Sequence, residues 1–247
     1  MIKHLQIDGL WSKIYEPNGE IKQVVIGVHG FAGDKESSVL IALAEMLEKM
    51  NIALVTYDLP FHGENISNEA IDLNSCIESV GKVLEYVKRT YAEKPISFFS
   101  TSFGAYLTLN YLSKHNEKLN KVILRAPAIF MGDTLADVIL AEREKTVEDL
   151  KKQPLTLGYE APLVVNYKFL TDLQEQNLMN MPTTQNYLYV LQGKLDTTVN
   201  PINNAKFFDT NYKDNHEMFY FENADHRFKK PGELERILEI TKNILNS

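Results

Sequence analysis

Ser102 stands at the centre of Ser100-Thr101-Ser102-Phe103-Gly104, one glycine short of the pattern G-x-S-x-G. A serine hydroxyl is a weak nucleophile at neutral pH and needs a base that a third group holds in place. Of the six histidines, His226 in "FENADHRF" has the context of a base, because it follows the last apolar run and precedes the last amphipathic stretch. Asp196, in "LQGKLDTTVNP", ends another apolar run and falls between Ser102 and His226 in the chain. In such a set the imidazole takes the hydroxyl proton while the carboxylate fixes its tautomer and stabilises its charged form. Attack on a carbonyl carbon also needs N–H donors for the developing oxyanion. The loop "HGFAGDKESS" (His29 to Ser38) offers the backbone N–H of Phe31, and Phe103, just after the serine, offers a second.

Each residue also has a plainer reading. Ser102 at the mouth of a helix suits a capping role, and His29-Gly30 alone is a tight turn. Asp225 adjoins His226, but a direct neighbour points its side chain elsewhere. Asp58 also ends an apolar run and reads as a turn-capping aspartate before Pro60. His115 ends a helical stretch, His216 sits in a polar loop and His4 lies near the terminus, none with a chemical context. The set taken together favours Asp196 as the acid.

These side chains are far apart in sequence, so a scaffold must bring them together. "KQVVIGVHG" (Lys22 to Gly30), "IALVTYD" (Ile52 to Asp58), "PISFFS" (Pro95 to Ser100), "KVILRAP" (Lys121 to Pro127) and "YLYVLQG" (Tyr187 to Gly193) are near-continuous apolar runs. Such runs suit strands buried on both faces of a parallel sheet. Amphipathic stretches alternate with them: Ser37 to Met50, Leu73 to Tyr91, Phe103 to His115, Pro201 to Phe208 and Pro231 to about Leu245. "EMFYFENA" completes the strands, and "KHLQIDGLWSKIYEP" alternates like an antiparallel edge hairpin. Alternation of this kind predicts a parallel sheet covered by helices on both sides. Ser102, Asp196 and His226 then all fall at carboxyl ends of strands, where open α/β sheets bind ligands. The chain order Ser, Asp, His is that of the α/β-hydrolase fold.

One interval, residues 127–185, shows no buried-strand signal but acid- and lysine-rich helical pieces followed by aromatic ones. A structureless loop of that length is improbable. The expected organisation is a core of residues 1–126 and 186–247 with an inserted lid or cap subdomain at 127–185.

The composition narrows the class further. At 247 residues, 44% hydrophobic and 24% charged, the chain has the make-up of an ordinary globular protein. A net charge of −7 argues against nucleic acid and anionic membranes as partners. "MIKHLQIDGLWSK" has no apolar h-region, and no apolar run approaches the roughly 20 residues that span a bilayer. Cys76 is the single cysteine and reads as a small buried side chain. No paired Cys/His spacing suggests a metal. The expectation is a cytoplasmic monomer or homodimer acting on a small-molecule ester without metal or cofactor.

On these residues the sequence resembles the α/β-hydrolase serine esterases over nearly its whole length. More narrowly, "HGFAGDKES", "YDLPFHGEN", "STSFGA", "GKLDTTVNP" and "NADHRF" resemble the bacterial cinnamoyl (feruloyl) esterases. The resemblance implies the α/β-hydrolase fold, a mostly parallel central sheet flanked by helices with an inserted lid. It implies Ser102, His226 and Asp196 as a catalytic triad, with Phe31 and Phe103 as oxyanion donors. In that family the insertion holds the aromatic acyl group. Asp133, Tyr159 and Tyr167 are the insertion residues of suitable type, and His29 is a further candidate contact; for each tyrosine a buried structural role is the plainer reading. Two positions depart from the family pattern, Ser100 in G-x-S-x-G and Phe61 in D-x-x-G-x-G.

The implied reaction is hydrolysis of small acyl esters, hydroxycinnamoyl esters among them, through an acyl-enzyme. Activity rises with pH through an imidazole nominally near 6.5. The rivals are a monoacylglycerol lipase, a thioesterase or a small serine peptidase, and, from another class, a ligand-binding protein that keeps the triad without turnover.

Overall fold

A computed structural model describes residues 1–158 and 162–247. The N-terminal hairpin pairs β1 (Ile2–Ile7) with β2 (Leu10–Tyr15). Its turn is Asp8-Gly9, with φ of 46° and 83°, the sign combination of a type I′ hairpin turn. Then follow β3 (Gln23–Val28), α1 (Ser38–Lys49), β4 (Ile52–Tyr57), α2 (Leu73–Thr90), β5 (Ile96–Thr101), α3 (Phe103–Lys114) and β6 (Lys121–Arg125). After a long connection come β9 (Leu188–Gly193), α7 (Pro201–Asn211), β10 (His216–Phe221) and α8 (Glu233–Asn246). Every residue of β3 and β4 is buried, as uninterrupted apolar runs require when helices cover both faces.

The eight strands run in the order β1-β2-β4-β3-β5-β6-β9-β10, with β3 to β6, β9 and β10 mutually parallel and the hairpin antiparallel at one edge. This is the α/β-hydrolase fold. The chain passes from β3 to β4 on one side and then returns to β5 on the other, so the winding direction switches at β3. Ligands of open α/β sheets bind at such a switch. It is the loop after β3 and the turn after β5 that carry the oxyanion and nucleophile candidates.

Between β6 and β9 the chain forms α4 (Met131–Asp133), which runs into a wider turn over Thr134–Ile139, then α5 (Val147–Lys152) and α6 (Tyr167–Glu175). It also forms two short strands that the sequence does not announce, β7 (Leu155–Leu157) and β8 (Leu163–Val165), paired antiparallel. Three residues are too few for a periodic signal to develop. This ribbon attaches to the loop before α2 through Ile71 N–H, which donates to Val164 O at 2.9 Å. The end of α6 is tied to α3, where Tyr106 Oη donates to Gln176 O at 2.9 Å. No helix among the described residues is long and apolar enough to cross a membrane.

Helix α3 packs so closely on β3 that a β-carbon at Gly104 would lie 2.3 Å from His29 O and 2.7 Å from Val28 O. The other small position of the motif is solved differently. Ser100 is fully buried, and its Oγ lies 2.8 Å from Thr108 Oγ1 one turn into α3. The extra atoms that glycine would lack therefore have room and a partner, which accounts for the departure from G-x-S-x-G. Ser100→Ala should destabilise the fold by about 1–2 kcal/mol by stranding the Thr108 hydroxyl. The Ser100→Ala/Thr108→Val pair should cost less than the sum of the single changes in a denaturation double-mutant cycle.

Candidate active site

Ser102 joins β5 to α3 with φ 52° and ψ −114°, a backbone state that L-residues rarely occupy. Four hydrogen bonds hold it there. Its N–H donates to Arg125 O at 2.9 Å, and its carbonyl accepts from Ala105, Tyr106 and Ala128 N–H at 3.0, 3.2 and 3.1 Å. The side chain makes no capping bond to α3. Instead Oγ lies 3.0 Å from His226 Nε2, and His226 Nδ1 lies 2.8 Å from Asp196 Oδ2. The helix-cap reading of Ser102 therefore gives way to a hydroxyl facing an imidazole.

The Asp196 carboxylate is fully buried and saturated. Oδ1 accepts from Thr198 and Val199 N–H, both at 2.9 Å, so Oδ2 is left for the imidazole. Gln192 Nε2 adds a longer bond to Oδ2 at 3.4 Å, and Gln192 is itself held by Asn204 Nδ2 at 2.9 Å. The loops carrying acid and base are stitched together: Lys194 N–H donates to Phe221 O at 2.9 Å and Leu195 N–H to Ala224 O at 3.0 Å. Asp225 accepts from Arg227 N–H rather than from the imidazole. Asp58 is fully buried and pairs with Lys35 Nζ at 2.6 Å while accepting from the Lys35 and Glu64 N–H groups, each at 2.8 Å. Neither aspartate competes for His226.

The loop after β3 lies against the serine, for a β-carbon at Gly30 would approach Ser102 Cβ to 3.2 Å. A Gly30–Gly33 turn is closed by Gly33 N–H on Gly30 O at 3.0 Å. His29 supports that turn from behind. Leu59 N–H donates to its Nε2 at 3.0 Å, which leaves the ring proton on Nδ1 to donate to Gly30 O at 2.8 Å. C=O and N–H point oppositely in a trans peptide, so fixing Gly30 O also fixes the direction of Phe31 N–H. Phe103 N–H is the first of α3 and has no intrahelical acceptor. Phe31 packs edge-on to Phe103 and His62 and stacks on Phe169 of α6, at centroid separations of 5.7, 5.9 and 6.4 Å.

A cavity of about 450 Å³ opens beside Ser102, lined by Gly30, Phe31, Ser37, Ser38, Arg125, His226, Arg227 and Lys229 among others. The substrate contacts expected from sequence do not converge on it. His29 is buried with both ring nitrogens engaged by backbone, so it supports the loop and has no polar ring atom left for a ligand. Asp133 lines a separate recess of about 240 Å³ with Thr197, Val199 and Asn203, where burial and then Asp137 raise its carboxyl above the usual range. Tyr167 is exposed at the start of α6 under Lys151 Nζ, 5.5 Å from its ring centroid. Tyr159 lies outside the described residues. Phe61 has φ 68°, which explains the preference for glycine there in the resembling family.

Sequence reasoning missed Arg125, Arg227 and Lys229 in the cavity and the Gln192–Asn204 support of the acid. The one signal available was an arginine ending the otherwise apolar run "KVILR".

Residues 19–145 match the Hydrolase_4 family, described as serine aminopeptidase, S33. No curated protein matches significantly. Among solved structures, Est1E from Butyrivibrio proteoclasticus with bound ferulic acid superposes with a TM-score of 0.81 at 18% identity, over 98% of this chain and 97% of that one. A protein from Agrobacterium vitis S4 gives 0.78 at 16% identity, over 99% of both chains. Mouse alpha/beta hydrolase domain-containing protein 10 gives 0.74 at 17% identity, over 100% of this chain and 98% of that one. At such identities the likeness is one of fold.

Burial holds His29 and His62 neutral, with pKa values lowered from 6.5 to about 4 and about 3. In the unfolded chain both bind protons below about pH 6.5. Lowering the pH therefore favours unfolding, and the stability they contribute is present above 6.5 and lost as pH falls toward 4. Urea titrations should therefore show lower stability at pH 4 than at pH 7. A flat pH profile across that window would contradict the buried neutral assignment.

Proposed function

The chain belongs to the Hydrolase_4 family, serine aminopeptidase, S33, and from that membership we propose that it hydrolyses carboxylic esters of small acyl groups through an acyl-enzyme on Ser102. The observation that carries this reading is the unbroken relay from Ser102 Oγ through His226 to Asp196, at 3.0 and 2.8 Å. His226 Nε2 removes the hydroxyl proton as Oγ attacks the carbonyl carbon. Asp196 keeps the ring proton on Nδ1 and stabilises the imidazolium. The N–H groups of Phe31 and Phe103 receive the oxyanion of the tetrahedral intermediate, and one such donor is typically worth about 10²–10³ in turnover. Collapse expels the alcohol with the proton from His226. Water, activated by the same imidazole, then attacks the acyl-serine and releases the acid.

An ester substrate is favoured over the N-terminus of a peptide by the charge of the cavity. An aminopeptidase holds a free α-ammonium, which calls for carboxylates. Arg125, Arg227 and Lys229 line the recess, and no carboxylate does so among the described residues. Hydroxycinnamoyl esters belong on the substrate panel because of the ferulic acid bound to Est1E and because Phe31 is among the residues lining the cavity. The segment 127–185 acts in this reading as a cap, and its Phe169 is placed against the Phe31 ring.

A nitrophenyl ester should give a burst of nitrophenol followed by a slower steady state. Ser102→Ala should abolish the burst and lower kcat by at least about 10³-fold, and Asp196→Asn by about 10³–10⁴-fold with KM little changed. Unchanged turnover in Ser102→Ala would remove the serine from the reaction. Stoichiometric labelling by a fluorophosphonate with no ester turned over would point to a binding role instead.

A further inference from the structure

Hydrolysis of a neutral ester does not call for the charges found beside Ser102. Arg125, Arg227 and Lys229 converge there in a chain whose net charge is −7. Arg125 is only 8% exposed, yet among the described residues no carboxylate lies within the 4.0 Å of an ion pair. Its Nη2 donates to Arg227 O at 2.8 Å, and its guanidinium lies 4.6 Å from the centre of the Phe228 ring. Its buried Nε–H has no partner among the described residues. A buried cation ordinarily has a counter-ion, because desolvating it alone is costly. Here burial depresses the Arg125 pKa to about 10, opposed by more distant Asp196, Asp225 and Glu233. Those three carboxylates are engaged elsewhere, with His226, the Arg227 N–H and the Lys230 N–H respectively.

The start of α1, a helix of 12 residues, lines the same cavity through its N-cap Ser37 and through Ser38 and Val39. Ser37 is its N-cap, but the hydroxyl makes no capping bond and the first turn contains no acidic residue. The first N–H groups of a helix lack intrahelical acceptors and sit at the positive end of its dipole. Such a terminus accepts an anion readily. A buried guanidinium without a counter-ion among the described residues and a helix start without a side-chain cap thus line one cavity, from elements that have no other reason to agree.

We propose that this recess is an anion subsite and that the ester cleaved at Ser102 carries a carboxylate or phosphate group, held between Arg125, Arg227, Lys229 and the start of α1. The assignment of a substrate class rests on the ester-hydrolase reading above; the subsite itself does not. Arg227 and Lys229 are exposed and steer the anion inward. Arg125 offers the planar fork that suits a carboxylate or phosphate.

Two matched ester pairs test it. 4-Nitrophenyl hydrogen adipate against 4-nitrophenyl methyl adipate places a carboxylate on the acyl side. 4-Acetoxyphenyl phosphate against phenyl acetate places a phosphate on the leaving-group side. At least one anionic member should exceed its neutral partner in kcat/KM by roughly tenfold or more at low salt. That ratio should fall toward unity in Arg227→Gln/Lys229→Gln and shrink as sodium chloride is raised. In parallel, titration calorimetry of adipate and of inorganic phosphate into Ser102→Ala protein measures the subsite without turnover. Neutral esters cleaved as fast as anionic ones, with no saturable binding of either anion, overturn the subsite and leave the hydrolase intact. An anionic preference that survives the double substitution also overturns it. Saturable anion binding that the double substitution abolishes, in a protein that cleaves no ester, supports the subsite and removes the hydrolase reading.

Discussion

The site depends on one close approach, that of the first turn of α3 to the end of β3. Gly104 has no β-carbon, and the space such an atom would fill is occupied by the carbonyl oxygens of Val28 and His29. This contact puts the turn after β5 alongside the loop after β3, so that the Ser102 hydroxyl, the Phe103 N–H and the Gly30–Phe31 peptide share one small volume. The unusual Ser102 backbone persists because four hydrogen bonds from β6, α3 and the following loop over-determine it. Any displacement of α3 by an ångström would separate all these groups together, and catalysis by alignment tolerates little error.

Behind that contact the protein uses buried polar groups as struts. The neutral His29 ring joins the β4 exit, through Leu59 N–H, to the Gly30 carbonyl. The Lys35–Asp58 pair ties the same two loops a second time, with the Glu64 carboxylate also on Lys35 Nζ. A buried ion pair is weak evidence for stability in itself. Its value here is geometric, because it fixes the loop after β3 to the exit of β4 beside the contacts that Phe31 makes with His62, Phe103 and Phe169. The same economy appears at Asp196, where Asn204 holds Gln192 and Gln192 donates to the oxygen that also faces His226.

Much of this arrangement was legible in the sequence, for reasons that can be traced residue by residue. The strands were legible because a parallel sheet covered on both faces writes itself as unbroken apolar runs, and β3, β4 and β5 did so. Ser102, Asp196 and His226 each followed such a run, so their gathering at one sheet edge followed from topology. Residues whose placement depends on side-chain direction were not legible. The sequence around His29 suggests a ligand contact, but the direction of its two nitrogens is set by the β4 exit, which nothing near position 29 reveals. Asp133 and Tyr167 qualify by residue type alone, within an insertion whose register against the sheet the sequence does not fix; Asp133 lines a separate recess and Tyr167 is exposed. Arg125 is hidden by its position, since a strand-ending arginine usually reaches solvent, and only the course of the loop carrying Arg227 and Phe228 buries it. The ribbon of β7 and β8 is too short for alternation to show.

The pairing of the two loops that carry Asp196 and His226 has a mechanical consequence. Lys194 and Leu195 are fastened to Phe221 and Ala224 by main-chain bonds, and a β-carbon at Gly193 would strike the Ala224 carbonyl at 2.5 Å. Asp196 and His226 therefore ride on a single plate. A shift of that sheet edge that keeps these main-chain bonds intact would carry Asp196 and His226 together, changing their distance to Ser102 more readily than their distance to each other.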